Sequence, residues 1–196
     1  MVHHLYPAFQ AYPQQLFILR CERFFLKMLL NFSDDEMSNV ETKYPPGIRQ
    51  VNVGDIDAIS EIEKRCFTGP IAYSRRQLAY LALEANSTCL VESQDNAIRG
   101  FIIVAYRKGS STGRIETIDV DPRFQNKGVG MKLLMAAEDD MKRRGMKIAQ
   151  LEVSERNERA LELYQKAGYT FSEKLKGYYR YDHNSTRNAI RMVKSL

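Results

Sequence analysis

The chain has 196 residues, 44% of them hydrophobic and 27% charged, with a formal net charge of +5. That length carries a core of ordinary domain size, and the balance of residues excludes a disordered or low-complexity chain. No apolar run reaches the ~20 residues of a membrane-spanning helix, and the modest positive field favours anionic partners without naming one. Cys21, Cys66 and Cys89 are odd in number and widely spaced. They fit neither a disulfide framework nor a zinc site, and they point to a reducing, cytoplasmic setting. His3, His4 and His183 lie beside no cysteine or helical carboxylate partner, so no metal site is expected.

Residues 1–44 differ in composition from the rest of the chain and read as an extension. Within them, 16–32 (LFILRCERFFLKMLLNF) is apolar but interrupted by Arg20, Glu22, Arg23 and Lys27. That pattern suits an amphipathic helix or a disordered arm better than a span. Met37 comes directly after the polar run SDDE, and a chain beginning there is expected to keep its fold. Tyr44-Pro45-Pro46 reads as a turn or linker, and 45–196 as the domain.

From Ile48 the pattern is regular. Residues 48–53 alternate like a strand. Residues 55–67 carry Ile56, Ile59 and Ile62 at helical spacing behind Asp55 as N-cap. A break at 68–70 leads to a second helix over 74–85, capped by Ser74. Strands are expected at 88–93, 98–108 and 114–121. A helix over 128–145 ends at Gly145. A strand at 147–154, a helix at 158–168 and strands at 169–175 and 189–196 complete a mixed α/β order.

The informative stretch is 118–134 (IDVDPRFQNKGVGMKLL). A strand ends at Asp121-Pro122, a short loop carries Gln125 to Gly130, and a long helix begins. The first N–H groups of a helix have no intrahelical acceptor, and the macrodipole places partial positive charge there, so a pyrophosphate suits the position. Gly128 and Gly130 allow close backbone approach, and Lys127 adds charge. The loop is neither a dinucleotide fingerprint nor a P-loop. By itself it is equally an ordinary capped turn.

A second element lies about thirty residues on, at 157–169 (NERALELYQKAGY). Together, Q-N-K-G-V-G and N-x-x-A-x-x-L-Y-x-x-x-G-Y resemble the GNAT acetyltransferase superfamily over most of 48–196. Within it, E-K-R-C-F-T-G-P (63–70), V-D-P-R-F-Q-N-K-G-V-G (120–130), L-E-V-S-E-R-N-E-R-A-L-E-L-Y (151–164) and G-Y-Y (177–179) resemble the RimI branch and its N-terminal acetyltransferase relatives. The branch usually continues C-F-x-x-P with Trp-Ser. Here Ile71-Ala72-Tyr73-Ser74 stands there, at the part that forms the peptide entrance.

The resemblance implies a mixed central sheet flanked by helices, with a splayed strand pair holding acetyl-CoA. It implies that Ile118, Asp119 and Val120 meet the acetyl and pantetheine part through their backbone. It places the pyrophosphate on Asn126, Lys127, Gly128, Val129, Gly130 and Met131, and the pantetheine arm on Asn157. Glu152 matches the general base of the branch and Tyr164 its general acid. Glu116 is the rival base and an acceptor-binding candidate, and Tyr178 and Tyr179 are expected to grip the acceptor. The implied partner is a protein or peptide N-terminus, such as that of a ribosomal protein, with no nucleic acid.

Chemistry leaves alternatives open. An α-amino group with pKa near 8 is about one-tenth neutral at pH 7, whereas a lysine is neutral well below one part in a thousand, so N-terminal amines are the easier acceptors. A lysine, a small amine, or a domain that binds acetyl-CoA without turnover are the other readings. Read without the motif, Glu152 is a solvated strand residue and Tyr164 plain core.

Overall fold

The structure, a computed structural model, describes residues 44–196 apart from Thr68 and Asn96, within the compact unit Thr42–Leu196. The apolar segment 16–32 lies outside the described residues.

A seven-stranded sheet organises this unit, in the order β1-β2-β3-β4-β5-β7-β6. The strands are β1 (Ile48–Gln50), β2 (Ser87–Gln94), β3 (Ala97–Tyr106), β4 (Thr112–Val120), β5 (Ile148–Ser154), β6 (Thr170–Leu175) and β7 (Ala189–Ser195). All neighbours are antiparallel except β4 and β5. The strand–helix–strand run of the sequence therefore closes as one parallel crossover, β4 to β5. The next strand does not join β5, because β7 inserts between β5 and β6.

Two apolar layers sandwich the sheet. Helix α3 (Val129–Arg143) turns Val129, Leu133, Leu134, Ala136, Ala137 and Met141 onto one face, against Ile102, Ile115 and Leu151. Helix α4 (Glu158–Lys166) joins that layer through Tyr164. The other face of β2 and β3 packs under α1 (Ile56–Cys66) and α2 (Arg75–Ala79), where Ile56, Ile59, Ile62 and Leu78 meet Phe101 and Ile103. Truncating a buried Leu in either layer costs about 2–5 kcal/mol.

Three local expectations change. The first strand stops at Gln50, because 52–55 form a tight turn in which the Asp55 carboxylate accepts from Asn52 N (2.8 Å) and pairs with Arg49. Asp55 therefore serves that turn and makes no side-chain cap on α1. Ser74 caps α2 as expected, accepting from Gln77 N, but the regular helix ends at Ala79 and widens into a π-type turn over Tyr80–Glu84.

The fully buried Asp140 ties α3 to the sheet. It accepts from Thr88 Oγ1 (2.7 Å), Tyr106 Oη (3.2 Å) and Tyr44 Oη (3.1 Å), and pairs with Arg144 (2.9 Å). Removing a buried charge that satisfies several donors is strongly destabilising. Asp140→Ala is expected to lose about 3 kcal/mol in urea unfolding, and a loss below about 1 kcal/mol shows that the hub contributes little.

Candidate active site

The site begins where β4 and β5 part. Their ladder runs from Thr112 opposite Ile148 to Ile115 opposite Leu151 and then stops. At that point β4 carries a bulge against β3: Ile103 faces Thr117 and Val104 faces Ile115, so Glu116 is the extra residue. A bulge bends its strand and re-aims a side chain. Here it turns β4 away from β5 and places Glu116 at the notch. Beyond it, the edge of residues 116–120 that faces β5 and the edge of residues 152–154 that faces β4 are left without ladder partners. An extended group bearing amides fits such an open edge, as the pantetheine arm requires.

Glu152 lies across the notch, on the sheet face away from α3. Its side chain is only 4% exposed and is held by two arginines: Arg114 Nε donates to Oε2 (2.8 Å) and Arg191 Nε to Oε1 (2.8 Å). Gln150 Nε2 adds a bond at 3.0 Å. Burial pushes this carboxyl up, but Arg114 and Arg191 together outweigh burial, and its pKa lies below the ordinary value. Arg114 also donates Nη2 to Tyr178 Oη (2.6 Å) and holds Glu116 through Nη1 at 3.2 Å. Glu116 has the opposite balance. Burial raises its pKa, the single Arg114 contact does not cancel that, and the charge of Glu152 raises it further.

The acid candidate sits on the other side. Tyr164 packs in the α3 layer with its ring 5.9 Å from that of Tyr169, and its hydroxyl makes no hydrogen bond to a described residue. Burial, then the nearby Asp119, push its pKa up, so it remains a neutral phenol across the working range. Asn157 caps α4, accepting from Ala160 N (3.2 Å) with Oδ1, which leaves its amide nitrogen and the second lone pair of Oδ1 for a pantetheine bond.

The expected phosphate turn has the form of an anion cradle. Asn126 and Gly128 both adopt positive φ, +62° and +78°, which turn the loop sharply into α3. A Cβ at Gly128 meets nothing within 4 Å, so the glycine serves the backbone angle and leaves open space beside it. Gly130 has another role: a Cβ there lies 3.3 Å from Leu163, so it lets α3 approach α4. The first N–H of α3 bonded within the helix is that of Lys132, to Gly128 O, leaving those of Val129, Gly130 and Met131 at the helix start. Arg159 bonds Gln125 (2.5 Å) and Asn126 (2.6 Å), bracing the loop from α4. Lys127 lies over Phe124, 5.3 Å from its ring centre.

Ile118 and Val120 turn their side chains towards the α3 layer, while Asp119 is buried on the opposite face. Burial, then Glu63 beside it, push Asp119 well above the carboxylate range. One oxygen of each carboxyl lacks a donor, and a proton on Asp119 donated to Glu63 satisfies both. Glu63 also accepts from Tyr73 N (2.8 Å), fastening the segment that departs from the branch pattern. Cys66 contacts Val120 O at 3.4 Å, and burial, with Asp119 next, pushes its thiol to about 12, which rules it out as a nucleophile.

Tyr178 and Tyr179 stand together at the notch, edge to face at 5.0 Å, and Tyr179 stacks on His183 at 3.9 Å. Burial keeps His183 below its ordinary pKa. Sequence reasoning brought Glu116, Glu152, Tyr178 and Tyr179 to one place, and the structure joins them. It missed Arg114 and Arg191. The signal was present in the alternation Arg114-Ile115-Glu116, which sets a cation beside the candidate base.

The profile of the acetyltransferase (GNAT) family matches residues 56–169, more than half of the chain. The chain belongs to the GNAT family. Among solved structures, the GNAT unit is similar to the ribosomal-protein-S18-alanine N-acetyltransferase of Escherichia coli, with 25% identity, a TM-score of 0.67, and coverage of 76% of this chain and 92% of that one. It is similar also to Ard1 of Thermoplasma volcanium, with 27% identity, a TM-score of 0.67 and coverage of 76% and 96%. A curated GNAT relative, the ribosomal protein bS18-alanine N-acetyltransferase of Haemophilus ducreyi, is 37% identical over 74 residues, 38% of this chain and 51% of that protein. An uncharacterised N-acetyltransferase of Methanocaldococcus jannaschii is 38% identical over 66 residues, 34% of this chain and 29% of that one. The matches thus span between a quarter and about half of the length of the curated relatives.

Proposed function

We propose that this GNAT transfers the acetyl group of acetyl-CoA to an α-amino group at a protein N-terminus, with a ribosomal protein as one candidate acceptor. The observation that carries this reading is the parted β4–β5 notch, which has an anion cradle at the start of α3 on one side and a carboxylate-and-tyrosine mouth on the other. The relatives named as alanine N-acetyltransferases support the acceptor class. The reducing compartment suggested by the cysteines agrees with a cytoplasmic substrate.

Acetyl-CoA, when bound, supplies an acyl carbon activated as a thioester; the amine nitrogen bonds that carbon and the carbon–sulfur bond breaks. The chain's residues manage the protons. A carboxylate of the mouth takes one proton from the incoming ammonium. Tyr164 gives its proton to the departing sulfur and recovers one from the acylated nitrogen. One proton per turnover leaves through the carboxylate to solvent, which balances the reaction. Asn126 to Met131 hold the pyrophosphate, and backbone groups at Ile118, Asp119 and Val120 with Asn157 hold the arm. Tyr178 and Tyr179 orient the acceptor.

The resemblance assigns the carboxylate role to Glu152. With ordinary values, transfer from an α-ammonium to a glutamate is uphill by roughly 5 kcal/mol. Two arginines on Glu152 increase that gap, whereas burial of Glu116 narrows it.

Acetyl transfer measured over N-terminal peptides, lysine peptides and polyamines tests the acceptor. N-terminal peptides are expected to give the highest kcat/KM, and a preference for polyamines overturns the peptide reading. For the cradle, Gly128→Glu places a negative side chain where an anion is expected. Its affinity for acetyl-CoA is expected to fall at least tenfold by calorimetry, and unchanged affinity in a folded variant removes the assignment.

A further inference from the structure

We propose that Arg114 is a positioning residue that divides two roles between the carboxylates of the mouth, fixing Glu152 as an ionic anchor and leaving Glu116 to take the proton of the amine. The proposal rests on the acetyl-transfer reading above and adds to it a residue that the motif does not contain.

One guanidinium contacts three groups from three parts of the chain: Glu116 on its own strand, Glu152 on β5, and Tyr178 between β6 and β7. The contacts are unequal. Glu152 receives the directed Nε bond at 2.8 Å and a second arginine, Arg191, from β7. Glu116 receives one contact at 3.2 Å and sits on the bulge, where β4 leaves β5 and an acceptor amine reaches the backbone that would hold the thioester. A carboxylate with two arginines is a poor proton acceptor, and one that is half-neutralised and buried is a better one.

Among the described residues, few groups face Glu116. They are Arg114 from β4, Glu152 from β5, Tyr73 from the segment before α2 and Tyr178 from the loop before β7, with Arg191 acting through Glu152. Burial pushes Tyr178 to about 12 and Tyr73 higher still, so both stay neutral where the carboxylates titrate. Among the described residues, Arg114 and Glu152 tune Glu116 over that range. Arg114 favours the charged form of Glu116, so its removal must raise the Glu116 pKa and move the acidic limb of the pH–rate profile to higher pH.

The test uses the full chain with 13C-labelled glutamate carboxyls, in wild type, Arg114→Gln and Arg114→Lys. The Glu116 and Glu152 resonances are assigned by their loss in the corresponding Gln variants. In wild type, Glu116 is expected to titrate above Glu152. In Arg114→Gln, the Glu116 midpoint and the acidic limb of kcat/KM are expected to rise together by on the order of one pH unit. Arg114→Lys keeps the charge but loses the fork, and is expected to fall between. A wild-type Glu116 midpoint below that of Glu152 overturns the proposal. So does an Arg114→Gln variant with a lowered melting temperature and an unmoved limb, which is the signature of a purely structural residue. So does a limb that tracks Glu152. The titration needs no acceptor, so the expected Glu116 shift without acetylation of any peptide supports the partition and overturns only the acceptor reading.

Discussion

Replacing Glu116 with glutamine is expected to lower kcat on the order of 10²-fold, the usual scale for a general base, with little change in acetyl-CoA affinity. The amide keeps the size of the side chain and its place on the bulge. It cannot accept the proton of the ammonium, so the acidic limb of the rate profile should disappear. Glu152→Gln should behave differently. It leaves Arg114 and Arg191 without their shared carboxylate, so about 2 kcal/mol of stability should be lost. Arg114 is then free to bind Glu116 more closely and lower its pKa, so the acidic limb should move to lower pH and kcat should fall by less than tenfold. Steady-state kinetics on the two variants, with urea unfolding beside them, separate these outcomes. If Glu152→Gln is inactive while Glu116→Gln retains its rate, the base lies on β5, where the motif alone puts it.

Tyr164→Phe is expected to lower kcat by a similar factor while leaving the protein as stable as before. The ring is part of the α3 layer, and phenylalanine keeps that packing. The hydroxyl makes no hydrogen bond to a described residue, so its removal takes no bond from the fold. A tyrosine present only for packing would tolerate this change without loss of rate. The decisive measurement is kcat at saturating acceptor together with the unfolding midpoint. An unchanged rate assigns Tyr164 to the core; a joint loss of rate and stability assigns the hydroxyl a structural bond.

Much of this was legible in the chain itself, for reasons tied to particular residues. The helix start at Gly128 announces itself because a glycine is needed at a positive φ, and the core face of α3 because Leu133, Leu134, Ala137 and Met141 repeat at helical spacing. Glu152 was recognisable by its spacing to Asn157 and Tyr164. The bulge at Glu116 shows in the sequence only as a broken alternation, Ile115 followed by Ile118 and Val120 on the same face, and its cause lies in how β3 pairs with β4. Arg191 was hidden, because β7 reaches β5 only by passing inside β6, a choice of strand order that local pattern does not encode. The second helix has the expected extent, but its last turn takes a π form at Tyr80–Glu84, which preserves apolar spacing while altering its hydrogen bonds.

The inward position of β7 also orders the history of the molecule. A ribosome delivers β4, α3, β5 and α4 before it delivers Ala189, so until then β5 presents a bare edge of unpaired N–H and C=O groups to whatever lies nearby. The nascent chain carries Glu152 with Arg114 but without Arg191, and the mouth cannot exist in finished form. A polypeptide cut before residue 189 would be trapped in that condition, with β5 and β6 both seeking a strand. Such a fragment would be expected to recruit another copy's strand or to precipitate, rather than persist as a weakened enzyme.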